Sequence, residues 1–98
     1  MSTPVILRRL AQAEFDDAAD WYEQRQTGRG GLFTAAVSRV LAEIAANPDL
    51  FPEVHGDVRE APVPGYPFAI YYQIEPARIL VLAVFHTSRD PAIWQGRA

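Results

Sequence analysis

The 98-residue chain has no cysteine, no lysine and no apolar run approaching the ~18 residues that span a bilayer. Lack of cysteine removes disulfides, thiol catalysis and sulfur-rich metal sites, and it suits a reducing, cytoplasmic setting. Neither a secretory leader nor a membrane span is expected, because no charged segment followed by an apolar stretch opens the sequence. The two histidines, His55 and His86, lack the spacing of paired helical ligands, so no metal is expected. Glycine-rich phosphate loops, dinucleotide fingerprints and nucleophile elbows are also missing, and no cofactor is expected.

What is present suffices for one core. Hydrophobic residues make up 49% and aromatic residues 11%, which excludes global disorder and predicts one domain over residues 1–98. All nine basic residues are arginine, whose planar fork suits carboxylates and phosphates, although a GC-rich coding bias produces the same composition. Twelve acids leave a net charge of −3, which argues against a protein that wraps nucleic acid with a broad basic face. The excess lies in residues 1–54, with eight acids and five arginines, whereas residues 55–98 hold four of each. A local arginine site in the second half stays open.

Val5-Ile6-Leu7, between Pro4 and Arg8-Arg9, reads as an edge strand. Ala11, Phe15, Ala18 and Tyr22 then recur on one face, with Asp16, Asp20 and Glu23 on another and Asp17 between. That spacing predicts a helix of about 17 residues. Trp21-Tyr22 is expected in the core. Thr27-Gly28-Arg29-Gly30-Gly31 ends the helix in a glycine turn. Phe33, Val37, Val40, Leu41 and Ile44 form the stripe of a second helix that stops at Asn47-Pro48, so the two helices make an antiparallel hairpin.

Residues 48–56 are expected to be a loop. Strands are predicted over residues 58–63, 68–74 and 79–86, the last two joined by the turn Glu75-Pro76-Ala77-Arg78. Pro62, Pro64 and Pro67 push the first of them to an edge or a bend. The fold class is therefore α+β: an N-terminal strand, an antiparallel two-helix hairpin, then a three-stranded antiparallel sheet packed against it. Residues 79–85 are apolar at every position, so this strand should be central and covered on both faces. Two helices can cover only one face. The other requires the C-terminal segment, a second copy or another protein.

His86 closes the apolar strand, with Arg89 three residues on and Arg59 on an earlier strand. Together they could act on a phosphodiester, the histidine moving a proton and the guanidinium groups stabilising charge. A half-buried histidine bonded to its own turn is the simpler alternative. Arg59 reads equally as a solvated charge paired with a neighbouring acid, and Arg89 as a local partner of Asp90. Pro91 suits the start of a short helix that carries Trp94 back to the sheet, as a lid or as an anchor for a partner. Tyr71 and Tyr72 point to opposite faces, and Tyr71 is the one whose hydroxyl could reach a surface. The acidic helix face is either plainly solvated or attracts an arginine-rich partner. Tyr71, Arg59, Arg89 and Trp94 are thus the candidates for partner binding.

A larger pattern joins these pieces. Trp21-Tyr22-Glu23, Ile44-Ala45-Ala46-Asn47-Pro48, Arg59, Tyr66-Pro67-Phe68-Ala69-Ile70-Tyr71-Tyr72 and Val84-Phe85-His86-Thr87-Ser88-Arg89-Asp90-Pro91-Ala92-Ile93-Trp94 follow one another along most of the chain. In this order the sequence resembles the RelE/ParE superfamily of toxins from type II toxin–antitoxin systems, often called plasmid-stabilisation proteins. The resemblance implies the hairpin-on-sheet fold and a cognate antitoxin whose tail wraps the toxin. That tail would cover the second face of the apolar strand, left bare in the isolated chain.

The superfamily divides by mechanism: ParE-like members inhibit DNA gyrase, and RelE-like members cleave mRNA on the ribosome. Ribonuclease members are generally basic, with a catalytic arginine three residues before a Tyr-Gln pair and a tyrosine near the C-terminus. Here those places hold Ala69, ahead of Tyr72-Gln73, and Trp94. The expected function is a ParE-like toxin that binds a target such as DNA gyrase and is not an enzyme. The alternatives are a ribosome-dependent mRNA endoribonuclease using His86, Arg59 and Arg89, or a degenerate, non-toxic antitoxin-binding member.

Overall fold

The computed structural model describes residues 3–98. Helix α1 spans Arg9–Arg25 and α2 spans Arg29–Ala46, where the apolar spacing predicts them. Ala11 and Ala18 from α1, and Phe33, Val37, Val40 and Ile44 from α2, are buried in the core beneath the hairpin. The glycine stretch is not one turn, as expected, but is divided. Gly28 takes a left-handed φ of 92°, while Gly30 and Gly31 lie in the first turn of α2. At Gly30 the helices touch: a Cβ there would sit 2.7 Å from the Ala19 carbonyl oxygen. The Glu23 carboxylate accepts from the N–H groups of Gly28 (3.0 and 3.1 Å) and Gly30 (3.0 Å). The last turn of α1 thereby caps the positive end of α2. Among the described residues no helix is long and apolar enough to cross a membrane.

Strands β1 (Val5–Leu7), β2 (Glu53–His55), β3 (Val58–Pro62), β4 (Phe68–Ile74) and β5 (Ile79–His86) form one sheet in the order β1-β5-β4-β3-β2. The expected three-stranded sheet is corrected to five strands. β1 joins it, running parallel to β5 with Val5 opposite Ile79. Glu53–His55, expected as loop, pairs antiparallel with β3 as the outer edge. Nothing in its own pattern marks it as a strand, since all three residues are exposed. Its approach is guided from β3 by Arg59, whose Nη1 donates to the carbonyl oxygens of Phe51 (2.6 Å) and Asp49 (3.2 Å). β3 is consequently flanked on both sides, and its prolines fall at its end and in the turn that follows.

The register between β4 and β5 shifts once. Tyr71 lies opposite Ala83 and Tyr72 opposite Val81, which leaves Leu82 as a bulge residue. Side-chain alternation therefore changes phase along β5. Ile79, Val81 and, past the bulge, Val84 join the core under the helices. Leu80, Leu82, Ala83 and Phe85 face the other side with Val58, Ala69 and Tyr71.

That second face is covered by the chain's own end, which corrects the expectation of a strand left bare in the isolated chain. Helix α3 (Ala92–Gln95) carries Trp94, only 3% exposed, and its indole stacks on Tyr71 with 4.0 Å between ring centroids. The Asp90 carboxylate accepts from the Ala92 N–H at 3.0 Å and so starts this turn of helix. Trp21 also departs from expectation. Tyr22 packs inward against Phe33, Tyr66 and Phe68, but Trp21 is 50% exposed.

Candidate functional site

The bulge turns His86 toward the helix side of the sheet, where a groove of about 470 Å³ opens between α1 and the ends of β4 and β5. Ala18, Pro67, Phe68 and Val84 supply its apolar lining together with Trp21 and Tyr22. Glu14 and Asp17 stand on the α1 side, and His86 and Arg89 come from β5 and the turn beyond it.

Glu14 owes its place to the mismatch between β1 and β5. β1 ends opposite Val81, so the outer edge of β5 continues past its neighbour with no strand beside it. The Arg8 N–H donates to the Val81 carbonyl at 3.0 Å, Arg97 Nη1 donates to the Leu82 carbonyl at 3.0 Å, and Glu14 Oε1 accepts from the Val84 N–H at 3.2 Å. Glu14 also takes a two-pronged contact from Arg97, at 2.9 and 3.0 Å, and one from Arg89 at 3.3 Å. With side chains only 15% and 14% exposed, Glu14 and Arg97 form a charge-assisted pair that water screens little. One carboxylate on α1 thus fastens the C-terminal segment and finishes the open edge of β5.

His86 is held by its own turn. The Ser88 N–H donates to His86 Nδ1 at 3.1 Å, and Ser88 Oγ lies 2.7 Å from the same nitrogen. Nδ1 therefore accepts from the turn. The ring meets Phe68 edge-on at 5.1 Å. Arg89 lies over the Phe85 ring at 4.5 Å while contacting Glu14. A polyanion entering this groove would meet two carboxylates and a guanidinium already engaged. An apolar side chain would find a ready surface. Among the described residues, no group of three or more His, Asp or Glu is placed to hold a metal ion.

Residues 5–91 match the family described as ParE toxin of type II toxin–antitoxin system, parDE. The chain belongs to the ParE toxin family. A solved structure, "Chromosomal ParDE TA system from P. aeruginosa", is similar with a TM-score of 0.66, at 16% identity, over 89% of this chain and 98% of that one. At that identity the likeness is one of fold. No curated protein matches the sequence.

Within this ParE-family fold the residues singled out by sequence separate into three places. His86 and Arg89 share the groove. Arg59 stands apart: its cross-strand neighbour Tyr72 is four residues along β4 from Phe68, the neighbour of His86. At about 3.3 Å per residue that is roughly 13 Å. Arg59 is also occupied, holding the segment before β2 and lying 3.6 Å from the Asp49 carboxylate, not paired with the adjacent Asp57 or Glu60.

Tyr71 and Trp94 cover each other on the far face. The Tyr71 hydroxyl donates to Glu60 Oε2 at 2.6 Å, and burial first, then Glu60, raise its pKa well above the ordinary phenol value. Ala69 lies opposite Phe85 on that same far face, so the sheet separates it from His86. Trp94 Nε1 is buried without a partner among the described residues.

Sequence reasoning passed over Glu14 and Arg97. Glu14 carries a faint signal, a lone acid at the flank of the stripe made by Ala11, Phe15 and Ala18. Arg97, 83 residues away, carries none.

Proposed function

We propose that the chain is the toxin half of a type II toxin–antitoxin pair, kept silent by a cognate antitoxin and acting in the cytoplasm by binding DNA gyrase. The observation that carries this reading is the match of residues 5–91 to the ParE toxin family. The similarity to a ParDE system supports it at the level of fold. Binding is favoured over RNA cleavage by the site itself: Arg59 is distant and occupied, Arg89 is tied to a Glu14 carboxylate that it shares with Arg97, and Asp17 adds a further negative charge.

The test is controlled expression in a sensitive host, paired with a supercoiling assay on purified gyrase. Growth arrest with a DNA-damage response, intact mRNA and lost supercoiling is the expected result, reversed by co-expression of the cognate antitoxin. Codon-phased mRNA cuts in a translating extract, abolished by His86→Ala, would replace gyrase with the ribosome as target. Unimpaired growth would reduce the chain to an antitoxin-binding relic.

A further inference from the structure

Helix α1 carries five acids and two arginines, a net charge equal to the −3 of the whole chain. Three of those acids have work within the fold. Glu14 binds Arg97 and Arg89, Glu23 caps α2, and Asp16 accepts from Gln12 at 3.0 Å. Asp17, on the rim of the groove, enters no ion pair among the described residues. One helical turn on stands Trp21, half exposed, with the Arg25 guanidinium 4.0 Å from its ring. An uncompensated carboxylate beside a half-exposed indole, above an apolar lining, has the makings of an interface anchor.

We infer that this groove receives one large apolar side chain of the antitoxin, with an arginine or lysine about one helical turn away that pairs with Asp17. The inference rests on the reading that an antitoxin binds this chain. Charge decides the chemistry of the occupant. Glu14 is shared by Arg97 and Arg89, so Arg89 is matched only in part, while Asp17, with Asp20 three residues on, enters no ion pair among the described residues, calls for a base on the α1 side and repels an acidic segment. The apolar group sits against Ala18, Phe68 and Val84 under the Trp21 ring. The base closes over it and excludes water from the rim. Asp17 is then the residue that selects the partner, and Trp21 the one that supplies most of the grip.

The probe is the purified cognate antitoxin, titrated calorimetrically into the full chain and into Trp21→Ala and Asp17→Arg. Asp17 is exposed and Trp21 half exposed, so Asp17→Arg is expected to melt with the parent, and Trp21→Ala, which loses an edge contact with Tyr22, to stay folded and melt a few degrees lower. Trp21→Ala should weaken binding about thirtyfold. Asp17→Arg should weaken it about tenfold at low salt and less as salt rises. Reversing the pairing base of the antitoxin to glutamate should restore affinity to Asp17→Arg and reduce it for the parent chain. If the parent binds and both variants stay within twofold of it, the groove assignment is overturned while the toxin–antitoxin reading stands. If the parent does not bind at all, both fall together.

Discussion

The two faces of the sheet are closed by unlike means. On one side two long helices bury an aromatic cluster of Phe15, Tyr22, Phe33, Tyr66 and Phe68 against Ile70, Tyr72, Val81 and Val84. On the other, one turn of helix and a single indole cover Leu82, Ala83 and Phe85, fastened by one carboxylate on α1. The first closure is distributed over many residues, so removing one side chain leaves the rest in place. The second hangs on few contacts and should open as a unit without the helices unfolding. An apolar strand can therefore be protected in the free chain and still lie under a cover that a few substitutions release.

The largest effect is expected on the helix side. Phe33→Ala removes a fully buried ring that meets four other aromatic rings and should cost about 3–5 kcal/mol in urea unfolding. A loss under ~1 kcal/mol would show that the helix side is not the main core.

Trp94→Ala should cost about 2–3 kcal/mol, below the usual tryptophan truncation, because its unpaired Nε1 already weakens the parent. Native Trp94→Ala should also bind a hydrophobic dye that the parent does not. Trp94→Phe deletes that unpaired N–H and keeps a ring over Tyr71, so it should stay within about 1 kcal/mol of the parent. Equal losses in the two variants would show that a ring over Tyr71 is not what Trp94 contributes to the lid.

Glu14→Gln keeps an acceptor for the Val84 N–H but leaves the Arg97 guanidinium without its counter-charge, and should cost about 1–2 kcal/mol. Amide exchange should quicken in residues 89–98 and at the end of β5, with the centres of α1 and α2 unchanged. Uniform quickening would mean that the two faces do not open separately.

The smallest effect concerns pH. Burial and the Glu60 bond raise Tyr71 above its ordinary pKa of 10.0, so the fold favours the neutral phenol. Its stabilisation is present below pH 10 and is lost as pH rises toward the folded value. Unfolding free energy should decline above pH 10, less steeply in Tyr71→Phe. Tyr22 and Tyr72 are raised by burial as well, so the slope should shrink without vanishing.

How much of this was legible in the sequence can be followed element by element. The stripes Ala11-Phe15-Ala18-Tyr22 and Phe33-Val37-Val40-Ile44 locate α1 and α2 because each is a local periodicity. The unbroken apolar run of β5 correctly demanded cover on both faces, and the C-terminal segment was among the covers it allowed. Glu53-Val54-His55 has no pattern of its own and becomes a strand only because β3 presents an edge to it. Trp21 was misplaced because it adjoins Tyr22, and a helix turns neighbours about 100° apart.

In the candidate site, His86 and Arg89 could be named from their place after the last strand, but not the face they would take. A one-residue bulge within an all-apolar strand reverses the alternation and leaves no mark in the sequence.

Taken alone, then, the sequence determined the order of the helices and of the longer strands, the burial of β5, and the composition of an acidic α1. All of these follow from residues near one another in the chain. Only the tertiary structure decided that β1 runs parallel to β5, that Leu82 is left without a partner in the ladder so His86 turns into the groove, and that Glu14 holds Arg97. Each of these is settled by a partner on another element, whose approach depends on how the whole sheet and hairpin pack.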